Sequence, residues 1–290
     1  MPGRFDSLAL ESTLPDGSPV RVISAAALHT AARQMGLSLR QTEIAALDRE
    51  IIPERYLRNF KTLDCAAQAR LLRSSVAMVG LGGLGGPILE GLARMGFGVI
   101  LAADHDHFEP SNLNRQLLAT ERTLGMSKAR AALERVADIN PAVELTAREE
   151  YVAPGAFAGF YQGADIAIDA LGGLACRLAA EQGAAEAGVP LITAAVAGWT
   201  AMVATVLPGA PGMASMFGLG GGECPPPGVA AEDTLGCLMP VILAAAGLVT
   251  VEAVRLALGQ APKLGGPHGK MAVLDFGQVC MEGLTLWPRR

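Results

Sequence analysis

Apolar positions recur at helical spacing through SAAALHTAARQMGLSLRQTEIAALDRE, residues 24–50, with Gly36 as the break between two helices. From Arg73 the period changes. VAMVG is a short apolar run, LGGLGG follows, and PILEGLARMG reads as an amphipathic helix with Pro87 near its first turn. VILAAD is a second strand, KARAALERVADIN a helix and VELTARE a third strand. ADIAIDA, CRLAAEQGAAEAG and VPLITAAVAG continue the alternation as strand, helix and strand. Past Pro240 a long apolar helix precedes MAVLDF, a late strand. Strands alternating with helices of this length predict right-handed βαβ units. The fold class expected is α/β, a doubly wound, mostly parallel Rossmann-like sheet. Residues 1–50 are expected to form an N-terminal helical extension and residues 51–290 the main domain. The stretch 218–228, GLGGGECPPPG, reads as a loop.

With 51% apolar and 18% charged residues among 290, the chain buries a substantial core. A net charge of −5 leaves no basic footprint, so no nucleic-acid partner is expected. Five cysteines without a C-x-x-C pair point to a reducing, cytoplasmic location and no disulfide framework. The N-terminus MPGRFDSLALESTLPDG holds no apolar run of signal-peptide length. Leu235 to Val251 is apolar but interrupted by Gly236, Pro240 and Gly247, and residues 188–222 are punctuated by proline and glycine. A span needs about 20 apolar residues in one helix, so both are expected as buried elements, with no membrane partner.

Gly80, Gly82, Gly83 and Gly85 follow a strand and open a helix. Glycines there let backbone approach phosphates, and a helix N-terminus offers unpaired N–H groups to them. Asp104 ends the next strand, where an acid meets ribose hydroxyls in this unit. The combination says nucleotide without saying which. A nicotinamide dehydrogenase (NAD(P)-dependent oxidoreductase) is one reading of such a loop. Against it, the chain continues through Asn112, Asn114, Arg115 and Gln116, then Lys128 in GMSKAR. These groups donate hydrogen bonds and positive charge, which suits polyphosphate oxygens more than hydride transfer.

VAMVGLGGLGG, DHDHFEPSNLNRQ and GMSKA, in that order, resemble the ThiF, MoeB and HesA family, bacterial relatives of ubiquitin-activating E1 enzymes. The resemblance extends upstream through ERYLRNFKTLDCAAQARLLRSSVAMVG and downstream through GCLMPVILAAAGLVTVEAVRLALG to MAVLDF, covering about residues 54–285. It implies an E1-like adenylation domain over 51–290. ATP would activate a carboxylate there, namely the C-terminus of a small ubiquitin-like sulfur-carrier protein. By resemblance Asp104 binds the ribose, Asn112, Arg115 and Lys128 the phosphates, and Gln116 supports them. Asp106 and Asp169 are also expected at the cofactor site. Arg58 matches an arginine that reaches the γ-phosphate across a homodimer interface.

The chain also departs from the family pattern. Where the family's fourth strand ends D-x-x-D-N, this sequence reads DALGG, so Gly172 stands at the metal aspartate and Gly173 at the asparagine. A carboxylate lost beside a triphosphate is a metal ligand lost, and no metal-ligand set is assigned. Asp106 and Asp169 remain as carboxylates for a hydrated Mg²⁺. Two readings stay open: an active adenylyltransferase, or an impaired nucleotide- or carrier-binding module. The paired C-x-x-C motifs of many relatives are missing, so no zinc is expected. Cys224 and Cys237 lie near the family's loop cysteine and are expected to be inert thiols. His105 and His107 are expected as strand-end polar residues rather than a metal pair, and Trp199 as a packing residue.

Overall fold

In the computed structural model, residues 5, 7–173, 176–213, 231–266 and 269–285 are described. The expected loop at 218–228, with Cys224, lies outside them. Strands β4 (Ser75–Val79), β5 (Val99–Ala103), β6 (Glu144–Arg148), β7 (Ile166–Asp169) and β8 (Leu191–Ala197) run parallel in the spatial order β8-β7-β4-β5-β6. β8 then turns into an antiparallel meander with β9 (Thr200–Val206), β10 (Lys270–Asp275) and β11 (Cys280–Thr285). The eight strands form one sheet. Five of its elements were legible as parallel βαβ units. β9 and β11 were not, because nothing in a short apolar or polar run distinguishes a meander strand from a loop.

Chain order reverses between β4 and β7, the place where open α/β sheets leave a crevice at their carboxyl ends. Helices cover both faces. On one, α4 (Gly85–Met95), α5 (Lys128–Ile139) and α9 (Met239–Ala257) bury Ile88, Leu89, Leu92, Val136, Ile242 and Val249 against the sheet. On the other, α6 (Phe157–Tyr161) and α7 (Arg177–Ala187) bury Phe157, Tyr161, Ala180 and Ala184. Each large side chain so buried contributes about 1.5–3 kcal/mol from apolar surface removed from water.

α9 is long and apolar enough to cross a bilayer. One of its faces instead packs on the sheet through Val241, Ala245, Val249 and Ala253. Its buried Glu252 accepts from Thr205 Oγ1 at 2.9 Å and from the Lys263 and Leu264 N–H groups, both at 3.0 Å. A carboxylate satisfied three times by the surrounding chain marks a helix built into a protein core.

The N-terminal extension corrects the sequence-based expectation. Its two helices are present: α1 (Ala25–Met35) starts at the Ser24 cap and ends at Gly36 with φ 64°, and α2 (Leu39–Leu47) opens on a Ser38–Gln41 capping box. They are accompanied by strands β1 (Leu10–Thr13), β2 (Pro19–Ile23) and β3 (Ile51–Pro53), which form a second, three-stranded sheet. The extension is therefore mixed α/β and runs past the boundary expected after Glu50. β1 is short, mostly exposed and polar, so its sequence carries no period-two signal. A 3-10 turn (Glu54–Asn59) and α3 (Cys65–Arg73) lead into β4. Trp199, expected to pack, stands 60% exposed at the β8–β9 hairpin.

Candidate active site

A cleft of about 420 Å³ opens at the carboxyl ends of β4, β5, β7 and β8. Its floor is the glycine loop. Gly80 has φ +95°, and a Cβ there would meet the Ala170 carbonyl oxygen at 2.6 Å, so only glycine lets the β4 and β7 exits cross this closely. A Cβ on Gly85 would collide with the Gly80 carbonyl. Gly80, Gly82 and Gly83 line the cleft, whereas Gly85 serves the turn beneath it.

Asp104 ties this loop to the end of β5. The N–H of Leu81 donates to its Oδ2 at 2.7 Å and that of Asp106 to its Oδ1 at 2.9 Å. The carboxylate is thereby fixed, and each oxygen keeps a lone pair for a hydroxyl donor. Lys128 opens α5, whose Ser127 cap accepts from the Arg130 N–H at 3.4 Å. The buried Lys128 donates its Nζ to Asp106 Oδ2 at 2.8 Å. Burial pushes the Asp106 carboxyl up, but the Lys128 ammonium outweighs it and holds the group below its ordinary value. Asp106 therefore stays ionised and keeps a buried cation in place beside the glycine loop.

Arg115 also lines the cleft, positioned by donation from Nη1 to the Ser111 carbonyl at 2.7 Å and to Asn114 Oδ1 at 3.1 Å. Gln116, 7% exposed, lines it with an Oε1 that has no partner. Asn112 is not among the residues that line the cleft. Its Oδ1 accepts from the Glu109 N–H at 3.1 Å, and its role is to shape the turn that carries Arg115. Arg58, in the 3-10 turn, lies outside the cleft and makes no ion pair among the described residues.

Asp169 lies elsewhere than a nucleotide ligand would. It is fully buried beneath the cleft, where Oδ2 accepts from Arg177 Nη1 at 2.9 Å and Thr193 Oγ1 at 2.8 Å, and Oδ1 from the Leu171 N–H at 2.9 Å. Its charge is spent on Arg177. That arginine reaches the cleft wall and also donates to the carbonyls of Gly173 and Leu171 at 2.9 and 2.8 Å. Neither Arg177 nor Thr193 stands in a recognisable motif, and sequence reading missed both.

Glu232, in the short helix α8 (Ala231–Leu235), was missed as well. Its Oε1 accepts from the Gly173 N–H at 2.6 Å, and a Cβ on Gly172 would lie 3.2 Å from the same oxygen. A carboxylate from a distant segment thus occupies the surroundings of the missing aspartate.

Asp104, His105 and Asp106 place ligand atoms within 4.8 Å of one another. Two amides hold Asp104 and Lys128 holds Asp106, so an ammonium already supplies the positive charge there. The two histidines diverge. His105 meets Asp106 at 3.3 Å and sits edge-on to Tyr151 at 5.3 Å, while His107 pairs with Glu149 at 3.4 Å. Cys237 lines the cleft and donates to the Val196 carbonyl at 3.4 Å, and burial pushes its thiol up.

A glycine loop at the strand-order reversal, a fixed acid after the second strand and buried cations beside both define a nucleotide-binding α/β protein. Residues 54–282 match the ThiF family, and the chain belongs to it. Among curated relatives, the SAMP-activating enzyme E1 of Haloferax volcanii is 29% identical over 80% of this chain and 82% of its own length. The sulfur carrier protein ThiS adenylyltransferase of Escherichia coli is 33% identical over 53% of this chain and 62% of its own. In fold, the chain resembles E. coli MccB crystallised with MccA-N7isoASN, with a TM-score of 0.68, 19% identity, and 81% and 72% of the two chains covered.

Proposed function

We propose that this protein is an ATP-dependent adenylyltransferase that activates the C-terminal carboxylate of a small ubiquitin-like sulfur carrier, working as a homodimer in the cytoplasm. The observation that carries the reading is the Lys128–Asp106 pair, a buried ammonium held 2.8 Å from its carboxylate beside a glycine loop. Membership of the ThiF family supplies the reaction class.

A carboxylate is ionised at neutral pH and needs no base to become a nucleophile. One of its oxygens attacks the α-phosphorus, the bond from that phosphorus to the bridging oxygen breaks, and pyrophosphate leaves. Catalysis is then a matter of holding attacker and leaving group in line and stabilising charge on the phosphate oxygens. The loop amides and the N-terminus of α4 face the polyphosphate, Lys128 and Arg115 neutralise it, and Asp104 accepts from the ribose. Mg²⁺ bound with ATP would supply further neutralisation, and the cleft offers oxygen ligands in Gln116 and Glu232.

Arg58 does not line the cleft of its own chain, which supports a partner subunit bringing it there. The apolar side chains that α9 leaves exposed, Leu243 and Val251, support pairing too.

Pyrophosphate–ATP exchange tests the reading. Label should enter ATP only with a ubiquitin-like carrier bearing a free C-terminal carboxylate, and not with its amidated form. Equal exchange with both forms would refute carboxylate activation. Tight ATP binding without exchange for any carrier would favour the impaired binding module, for which Gly172 is the motivating residue.

A further inference from the structure

The carboxylates around the cleft are not equivalent. Asp104 is held by two backbone N–H groups, Asp106 by Lys128, and Asp169 is sealed below the floor by Arg177 and Thr193. Glu150 pairs with Arg148 at 3.4 Å. Glu232 differs from all of these. Among the described residues it has no cationic partner, and its one hydrogen bond is the Gly173 N–H on Oε1. Its second oxygen and its full charge remain available to the cleft that it lines.

Its position is as informative as its charge. The Gly172 Cα side carries no substituent, and Glu232 Oε1 sits 3.2 Å from where a Cβ would be. The space vacated by a side chain at 172 is thus shared with a carboxylate delivered from α8. A second observation in the same cleft is Gln116. Its side chain is buried, it lines the same cleft, and its Oε1 has no partner. Orphaned buried oxygens of this kind are rare and mark places where a ligand, a water or an ion completes the shell.

Resting on the adenylation reading, we propose that Glu232 supplies the carboxylate that position 172 lacks, as the protein's ligand for a divalent cation carried by ATP. Magnesium keeps most of its water and takes only one or two protein carboxylates beside the phosphates, so a single well-placed glutamate suffices. The departure at Gly172 is then a relocation of the ligand from the end of β7 to α8, and not its loss.

The test is calorimetric titration of the full-length protein with ATP, with and without Mg²⁺, for wild type, Glu232→Gln and the double variant Gly172→Asp/Glu232→Gln. Glutamine keeps an oxygen for the Gly173 N–H, so the loop is preserved and the charge alone is removed. Wild type should bind ATP more tightly with Mg²⁺. Glu232→Gln should lose that gain by about tenfold or more. It should bind metal-free ATP no more weakly than wild type, because a negative charge is removed from beside the phosphates. The double variant should regain the magnesium gain. Glu232→Gln retaining the full magnesium gain would overturn the proposal and leave the adenylation reading intact. A double variant no better than Glu232→Gln would overturn the link to position 172. Wild type that binds no ATP in either condition would defeat the adenylation reading itself.

Discussion

The Arg177 guanidinium lies 2.9 Å from the Asp169 carboxylate, with the two side chains 4% and 0% exposed, directly beneath the nucleotide cleft. Coulomb attraction in such a place must offset the cost of stripping water from both ions, and it does so only while the pair is complete. Thr193 Oγ1 and the Leu171 N–H finish the shell of the acid. Arg177→Ala should therefore cost about 3–5 kcal/mol by leaving a buried charge unpaired. Arg177→Ala/Asp169→Asn should cost less than the sum of its single variants. Denaturant midpoints of the three variants measure this, and additive losses would show that the pair is not coupled.

Lys128 gives the second prediction. Its ammonium is preorganised by Asp106, so on the adenylation reading removing it deletes a fixed charge for the phosphates and not a flexible surface group. Lys128→Ala should lower the rate of carrier adenylation by roughly 10²–10³, and Arg115→Ala should do so to a comparable or smaller extent. Asp106→Asn should reduce the rate less, because the lysine stays while its anchor weakens. Steady-state rates would decide the order, and full activity in Lys128→Ala would remove it from the site.

What the sequence disclosed and what it hid follow from how each residue acts. Gly80 is legible because a backbone constraint is local: β4 must turn sharply within a few residues. Asp104 and Lys128 are legible because they stand at fixed offsets from a strand end and a helix start. Asn112 and Asp169 were read as nucleotide ligands, yet their side chains turn to the Glu109 N–H and to Arg177. A polar residue next to a site has several partners in reach, and packing alone chooses among them. Glu232 reaches Gly173 across 59 positions of chain, a pairing no local spacing encodes. β2 escaped notice for another reason. It lies between β1, which is short and polar, and β3 on the far side of two helices, so neither neighbour marks it in the local pattern.

A buried polar cluster joins the extension to the main domain and carries a pH dependence. Tyr56 Oη donates to Glu43 Oε2 at 3.0 Å and accepts from Asn140 Nδ2 at 2.9 Å, while Arg55 lies 3.2 Å from Glu43 Oε1. Burial pushes the Glu43 carboxyl from 4.5 up to about 7, against the opposing pull of Arg55 and Tyr56. Folding thus favours its protonated form. That contribution is fully present below 4.5 and lost as pH rises through 7. Stability should fall by on the order of 1–2 kcal/mol between pH 5.5 and 8 from this group alone. Glu43→Gln should flatten the slope, as read by urea denaturation across that range. An unchanged slope would place the pH dependence elsewhere.

Cys237 faces the cleft, but the environment argues against a nucleophile. Burial raises its thiol, Glu232 adds to the rise, and Arg115 opposes them. Since the thiolate is the reactive form, alkylation by iodoacetamide at pH 7.5 should be at least ~5-fold slower at Cys237 than at the exposed Cys280. Cys237→Ser should retain carrier adenylation. Rapid, ATP-sensitive labelling of Cys237, or loss of adenylation in the serine variant, would revive a thioester role.

Arg58 offers the sharpest test of assembly. If each cleft is completed by this arginine from the partner subunit, a site needs Lys128 from one chain and Arg58 from the other. Arg58→Ala and Lys128→Ala should each be inactive alone. Mixed in equal amounts and allowed to exchange subunits, half of the dimers are hybrids, and each hybrid holds one intact and one doubly deficient site. Activity should recover to about a quarter of the wild-type value per chain, by the statistics of two-fold assembly. Recovery would require both exchange and a shared site, since neither variant can repair itself. If hybrid dimers form, as seen by native mass, and activity stays at the level of the separate variants, Arg58 acts within its own chain or not at all.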